Sequence, residues 1–269
     1  MRHIRSLIFR LCLLVPALLA AGFLHAAEQT AASSREESVQ LIARDFFAWR
    51  RAQQPVSGDD IPRVERPDGW VPDWSPDAVE NARARYQAYI NAVEALKTDG
   101  WSVSARVDKH LLTAAIQRVH WELEILRAPH RNPLFYVQQT LGSVFELLLI
   151  SSPMTEQRAE NILLRLEHIP ATLKSAKVNL DQAVRPFAQA TINSLDGVED
   201  RLESLETALQ AEFPESAASR LSRAIRSASR ALRKYADWLE KEKDGMRTAF
   251  ALGPGVYQWF LVNIALIPN

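Results

Sequence analysis

The sequence predicts an all-α protein: a multi-helix body with a long antiparallel helical hairpin and a Pro/Trp-rich crossover loop. Three observations carry that prediction. Apolar residues recur every three or four positions along most of the chain, the spacing that lines one face of a helix. Runs that alternate apolar and polar between turn residues, the mark of strands, are hard to find. Helix-starting pairs such as Ser75-Pro76 and Asn132-Pro133 stand directly before periodic runs, and Gly100 closes one of them.

The chain opens with a different kind of segment. Arg2, Arg5 and Arg10 form a basic head, Leu11 to Leu24 are apolar or small, and Ala26-Ala27 precede the polar run from Glu28. This is the layout of a secretory signal peptide over residues 1–27, and its apolar stretch is short for a bilayer core of about 30 Å. Cys12 falls inside it, too early and in the wrong surroundings to accept a lipid, so the mature chain has no cysteine and must be stabilised by packing. Removing three arginines leaves 29 basic against 32 acidic residues, or −3, over about 242 residues. That balance favours neither nucleic acid nor an anionic membrane. The expected location is periplasmic or secreted, with residues 28–269 as a helical domain.

The first helix is predicted from Ser34 to about Gln53. Ser34 and Glu37 have capping-box spacing, and Val39, Ile42, Phe46 and Trp49 share a face. Pro55, Pro62, Pro67, Pro72 and Pro76, with Gly58, Gly69, Trp70 and Trp74, then demand an extended connection. Its tryptophans read either as a platform for sugars or peptides or as pins for the loop. A helix from Ser75 to about Thr98 offers Val79, Tyr86, Tyr89, Ile90, Val93 and Leu96 for burial. Another spans roughly Ser104 to Arg127. Asn132 and Pro133 open an apolar helix to Leu149, in which Gly142 costs about 1 kcal/mol against Ala unless another backbone approaches there. Thr155 and Glu156 open the next helix, which Pro170 is expected to interrupt or kink.

The hairpin is the most regular pair. Ile192, Leu195, Val198, Leu202, Leu205 and Leu209 form one seam, and after Phe213-Pro214 come Leu221, Ile225, Ala228, Leu232, Tyr235 and Leu239. The first arm carries Glu199, Asp200, Glu203, Glu206 and Glu212; the second carries Arg220, Arg223, Arg226, Arg230, Arg233 and Lys234. The basic row could bind a polyanion, but with an acidic arm beside it the reading is a solvated or paired face. The last stretch, Val256 to Ile267, is apolar nearly all round yet too short for a membrane span. Such a helix needs neighbours, and the expectation is that the chain is truncated before them.

The residues that could carry chemistry are few. There is no GxSxG elbow, no phosphate-cradling glycine loop and no mature thiol. His120 and Glu124 share a helix face and could supply two metal ligands, but zinc needs at least three from the protein, so an ordinary His–Glu pair is the reading. His168, before Ile169-Pro170, reads as a helix-terminus histidine. No catalytic residue and no metal site is predicted in this chain.

From Asn132 the wording NPLFYVQQTLGSVFELLL, followed by Arg158, Ala159 and LLRLEHIP from Leu163 to Pro170, resembles the bacterial domain of unknown function 885 family. DFFAWR from Asp45 and YQWFL from Tyr257 fit as well, so the resemblance covers nearly all of the mature chain. It implies a secreted, mostly helical protein about twice this long. Relatives resemble zinc-dependent peptidases, with two histidines and a glutamate on one helix of their second half. This sequence ends before any such motif, so zinc is expected only in that second half and no ligand is carried over. The resemblance implies that the present half forms one wall of a cleft for a peptide substrate. Asn132, Tyr136, Gln139 and Glu146, the polar members of the matching block, are its cleft candidates. The competing expectation is a stand-alone periplasmic helical binding protein.

Overall fold

Helices form where the periodicity predicts them, and no strand occurs among the described residues. The computed structural model describes residues 37–56, 65–150 and 153–267. The signal segment, the Ser34 cap, and Gly58, Asp59 and Asp60 of the loop lie outside the described residues.

Helix α1 (residues 37–53) buries Val39 and Phe46, with Phe46 meeting Tyr89 of α2 (Pro76–Glu94) edge-on. The start of α2 is as expected: the Ser75 hydroxyl accepts from the Ala78 N–H, and Pro76 takes the first position. It ends at Glu94 rather than near Thr98, and Gly100 turns the chain at φ 75°. Helix α3 (Val103–His120) does not run on to Arg127 as a plain α-helix. It widens into a π-turn, Trp121–Ile125, and the chain reverses at Arg127, a non-glycine residue at φ 51°.

After the short α4 (Ala128–Arg131), Asn132 caps α5 (Pro133–Val137) by accepting from the Leu134 N–H at 3.0 Å. The predicted apolar helix is one path with a second π-turn, Gln138–Gly142, before α6 (Ser143–Leu148). What approaches Gly142 is Val56: a Cβ on Gly142 would lie 3.1 Å from Val56 Cγ1. Gln139 holds the same valine, accepting from its N–H at 2.8 Å and donating to its C=O at 3.0 Å. The side-chain amide thus pairs with the Val56 backbone as a strand neighbour would.

Helix α7 (Glu156–Asn179) passes through Pro170 without ending. A proline inside a helix costs about 3 kcal/mol. Here Leu163, Leu166, Ile169 and Leu173 are buried on both sides of it, and each such side chain gains roughly 1.5–3 kcal/mol on burial. Packing outweighs the break. His168 therefore sits mid-helix and half-buried, not at a terminus.

The first arm of the predicted hairpin is divided. Helix α8 (Arg185–Leu195) stops at Asp196, Gly197 turns at φ 63°, and α9 (Val198–Gln210) follows. The seam spacing from Leu195 to Val198 crosses that turn unchanged, which is why periodicity does not reveal it. Helix α10 (Glu215–Glu242) runs antiparallel to both pieces, with Ser222 meeting Glu206, Arg233 meeting Glu199, and Lys243 meeting Gln189. Its other side packs on α7, in parallel: Arg220 meets Glu167, and Lys177 meets the Lys234 carbonyl. The buried row Leu221, Ala224, Ile225, Ala228, Leu232, Tyr235 and Leu239 is the centre of this half. Beyond α10, Arg247 pairs with Val184 in a parallel bridge: Arg185 N–H donates to Arg247 C=O at 2.8 Å, and Arg247 N–H to Ala183 C=O at 3.0 Å. The chain ends in α11 (Pro254–Asn263).

Candidate functional site

The proline-rich loop is the first part of the site. Trp74 is 7% exposed and meets Phe135 edge-on, centroids 4.7 Å apart, so it pins the loop and offers no platform. Asn179 donates to the Trp74 carbonyl at 2.8 Å and to the Tyr136 hydroxyl at 2.9 Å. Trp70 is half-buried, its indole N–H given to the Ala52 carbonyl at 2.8 Å. Its ring is occupied by guanidinium groups, with Arg66 Cζ at 4.6 Å and Arg165 Cζ at 4.9 Å from the centroid. Asn161 of α7 accepts from the Gly69 N–H at 2.9 Å and donates to Asp68 at 3.1 Å, tying the loop to the helix.

Beside that stack lies a cavity of about 510 Å³, between the loop, the end of α6 and the first turns of α7. Arg158, Asn161 and Arg165 line it from one face of α7, as their three- and four-residue spacing requires. Arg66 and Glu146 complete the polar lining, and Leu147, Ile150 and Pro153 add apolar surface. The Glu146 carboxylate lies 3.5 Å from Arg165 and 4.0 Å from Arg66. Both are long beside charge-assisted bonds of about 2.7–2.9 Å. Arg165 is 3% exposed and donates to the Ser143 carbonyl, but its Nε–H meets no acceptor among the described residues. A buried donor left so costs about 1–3 kcal/mol. Burial, with the Arg66 charge nearby, brings the Arg165 pKa down to about 10 despite Glu146.

A second cavity, of about 410 Å³, lies under the terminal helix α11. Trp121 and Glu122 of the first π-turn, Asn132, Gln138 of the second, Tyr257 and Phe260 are among its walls. Trp121 stacks with Trp259 at 6.3 Å and meets Phe260 at 4.8 Å. Yet no residue of α11 is buried.

His120 and Glu124 lie close by and are already engaged. The Tyr86 hydroxyl donates to Glu124 at 3.2 Å and lies 3.3 Å from His120 Nδ1. Arg83 grips the Glu124 carboxylate at 2.6 and 3.0 Å. Burial opposes ionisation of Glu124, but Arg83 outweighs it and holds the carboxyl below its ordinary value. Burial and Glu124 push the Tyr86 phenol up to about 12. Among the described residues no cluster of three metal-ligating side chains exists, so the donors present do not fit a zinc ion.

The four cleft candidates do not converge. Tyr136 is fully buried, donating to the Pro129 carbonyl at 2.8 Å, and Gln139 is committed to Val56. Asn132 reaches the cavity under α11, while Glu146 lines the arginine cavity. Arg66, Arg158 and Arg165 are absent from the candidates drawn from sequence. Arg165 had a signal: it is a charge between Leu163-Leu164 and Leu166, on the face that Ile162, Leu166 and Ile169 bury.

The family model described as bacterial protein of unknown function (DUF885) matches residues 56–264. The chain belongs to this family. No functionally curated protein matches it. Among solved structures, this DUF885 protein is similar to one described as a "putative lipoprotein of unknown function" from Shewanella oneidensis. The TM-score is 0.65 and the identity 16%, so the likeness is one of fold. It covers 83% of this chain but only 41% of the Shewanella chain, less than half its length. Among the described residues no helix is long and apolar enough to cross a membrane.

Proposed function

We propose that this chain is the amino-terminal helical portion of an exported, zinc-peptidase-like protein, and that it is not catalytic alone. One observation carries the reading: α11 is apolar nearly all round yet has no fully buried residue, in a chain that covers 41% of the longer Shewanella chain of similar fold. An apolar helix left half-exposed is surface that a further half of the fold would use. The basic head, apolar stretch and small residues of the leader support export. Zinc and its activating glutamate belong to that further half, and no step is assigned to residues here. The test is the mass and metal content of the native polypeptide, detected in its host by antibody against residues 132–149. The expected result is a zinc-containing band about twice the size of this chain. A band of this chain's own size, free of zinc, would overturn the reading.

A stand-alone periplasmic binding protein is the second reading, favoured by the stacking of Trp259 and Phe260 on Trp121. It requires α11 to resist limited proteolysis in the isolated monomer, and rapid cleavage there would remove it.

A further inference from the structure

We propose that the cavity lined by Arg66, Arg158, Asn161 and Arg165 is a carboxylate-binding site whose ligand is a peptide. The inference deepens the peptidase-like reading by naming what part of a peptide this half would hold.

Two arginines of α1 and α2 are gripped closely. Arg50 reaches both oxygens of Glu122 at 2.7 and 2.5 Å, and Arg83 reaches Glu124 at 2.6 and 3.0 Å. Arg165 differs on three counts. It is 3% exposed, its nearest carboxylate among the described residues is 3.5 Å away, and its Nε–H has no acceptor among them. A guanidinium offers a planar fork of donors that fits a carboxylate side-on. Its plane is held over Trp70, so the fork is ordered before any ligand arrives. Arg158 stands two turns nearer the helix start, where the first turn of α7 favours an anion.

The surroundings choose the kind of anion. Glu65, Asp68 and Glu146 also line the cavity and would repel a doubly charged phosphate. A single carboxylate is tolerated, and it can compete with Glu146 for the guanidinium groups. Leu147, Ile150 and Pro153 give the aliphatic part of a peptide an apolar wall.

The test is calorimetric titration of the purified protein with three probes: Ala-Ala-Leu, its carboxy-terminal amide, and N-acetyl-Ala-Glu-Leu amide. The expected result is binding of at least one acid-bearing probe about tenfold or more above Ala-Ala-Leu amide, weakening as salt rises. The first probe binding would identify the chain terminus as the source, and the third a side-chain carboxylate. Equal binding of all three, or none at millimolar concentration, would overturn the proposal. Arg165→Gln should abolish binding, but its burial risks the fold. The deciding variant is therefore Glu146→Gln, which removes the competing carboxylate and should tighten binding severalfold. Unchanged or weaker binding in a folded Glu146→Gln protein would also overturn it. Neither readout involves zinc or cleavage, so the proposal and the peptidase-like reading fail separately.

Discussion

Two arginines on adjoining helices are treated in opposite ways. Arg220 of α10 lies part-exposed between Glu167, at 2.7 Å through two nitrogens, and Glu160 at 2.6 Å. Two carboxylates serve that one guanidinium, and its hydrogen bonds to them raise its pKa. Arg165 of α7 is buried, stands over an indole, meets its carboxylate loosely and has a lowered pKa. The first arrangement fastens α10 to α7 where water still screens it. The second keeps a costly charge inside and leaves part of its hydrogen-bonding capacity unused. Closeness of pairing thus separates a guanidinium whose hydrogen bonds are taken up from one with capacity left over.

The largest effect expected from that contrast is at Arg165. Arg165→Ala removes the donor to the Ser143 carbonyl and one of the two guanidinium groups facing Glu146, costing about 3 kcal/mol in chemical denaturation. Gln139→Leu should follow at about 2–3 kcal/mol, because the N–H and C=O of Val56 lose their partners together in a buried place. Arg220→Ala should cost only about 1 kcal/mol or less, since its pairs are screened. A loss at Arg220 equal to that at Arg165 would break the comparison.

The smallest effect concerns pH. Burial lowers the pKa of His168 below its ordinary value, against the opposing pull of Asp73 and the Pro72 carbonyl. The unfolded chain then takes up a proton before the folded one does as pH falls. The stability contributed by neutral His168 is full above about pH 6.5 and is lost as pH drops through its folded value. The melting temperature should fall between pH 7.5 and 5.5, and His168→Gln should flatten that fall. An identical pH slope in wild type and variant would exclude the effect. Glu124 and Glu167, both held low, act in the same direction below about pH 4.5.

The helical class and most helix starts were legible because they rest on local chemistry: Ser75 with Pro76, Asn132 with Pro133, and Thr155 with Glu156 each act within one turn. The misses come from tertiary contacts. Pro170 reads as an interruption or a kink, and only the joint burial of apolar residues on both sides of it accounts for a helix that does not stop there. The Gly197 turn hides inside an unbroken apolar spacing. The charge rows of the hairpin were expected to form a solvated or paired face; Arg223, Arg226 and Arg230 are exposed and Arg233 meets Glu199, while Arg220 crosses to α7, which sequence spacing does not show. Gly142 was expected to admit another backbone, but what comes close is the Val56 side chain, seated there by Gln139. The arginine cavity gathers residues from a loop at 65–68 and from two consecutive helices far along the chain, so spacing shows at most the row on α7.

The parallel bridge between Val184 and Arg247 has a dynamic consequence. It clasps the chain before α8 to the chain after α10, so α8, α9 and α10 form a closed ring of polypeptide, with the turn after α9 at the opposite end. Fraying from the end of α10 must first open the clasp, and a break in the far turn would leave the two pieces joined at the near one. The amide protons of Arg185 and Arg247 should accordingly exchange with solvent in step with those of the α10 core, as one cooperative unit, although they sit at the edge of the helices.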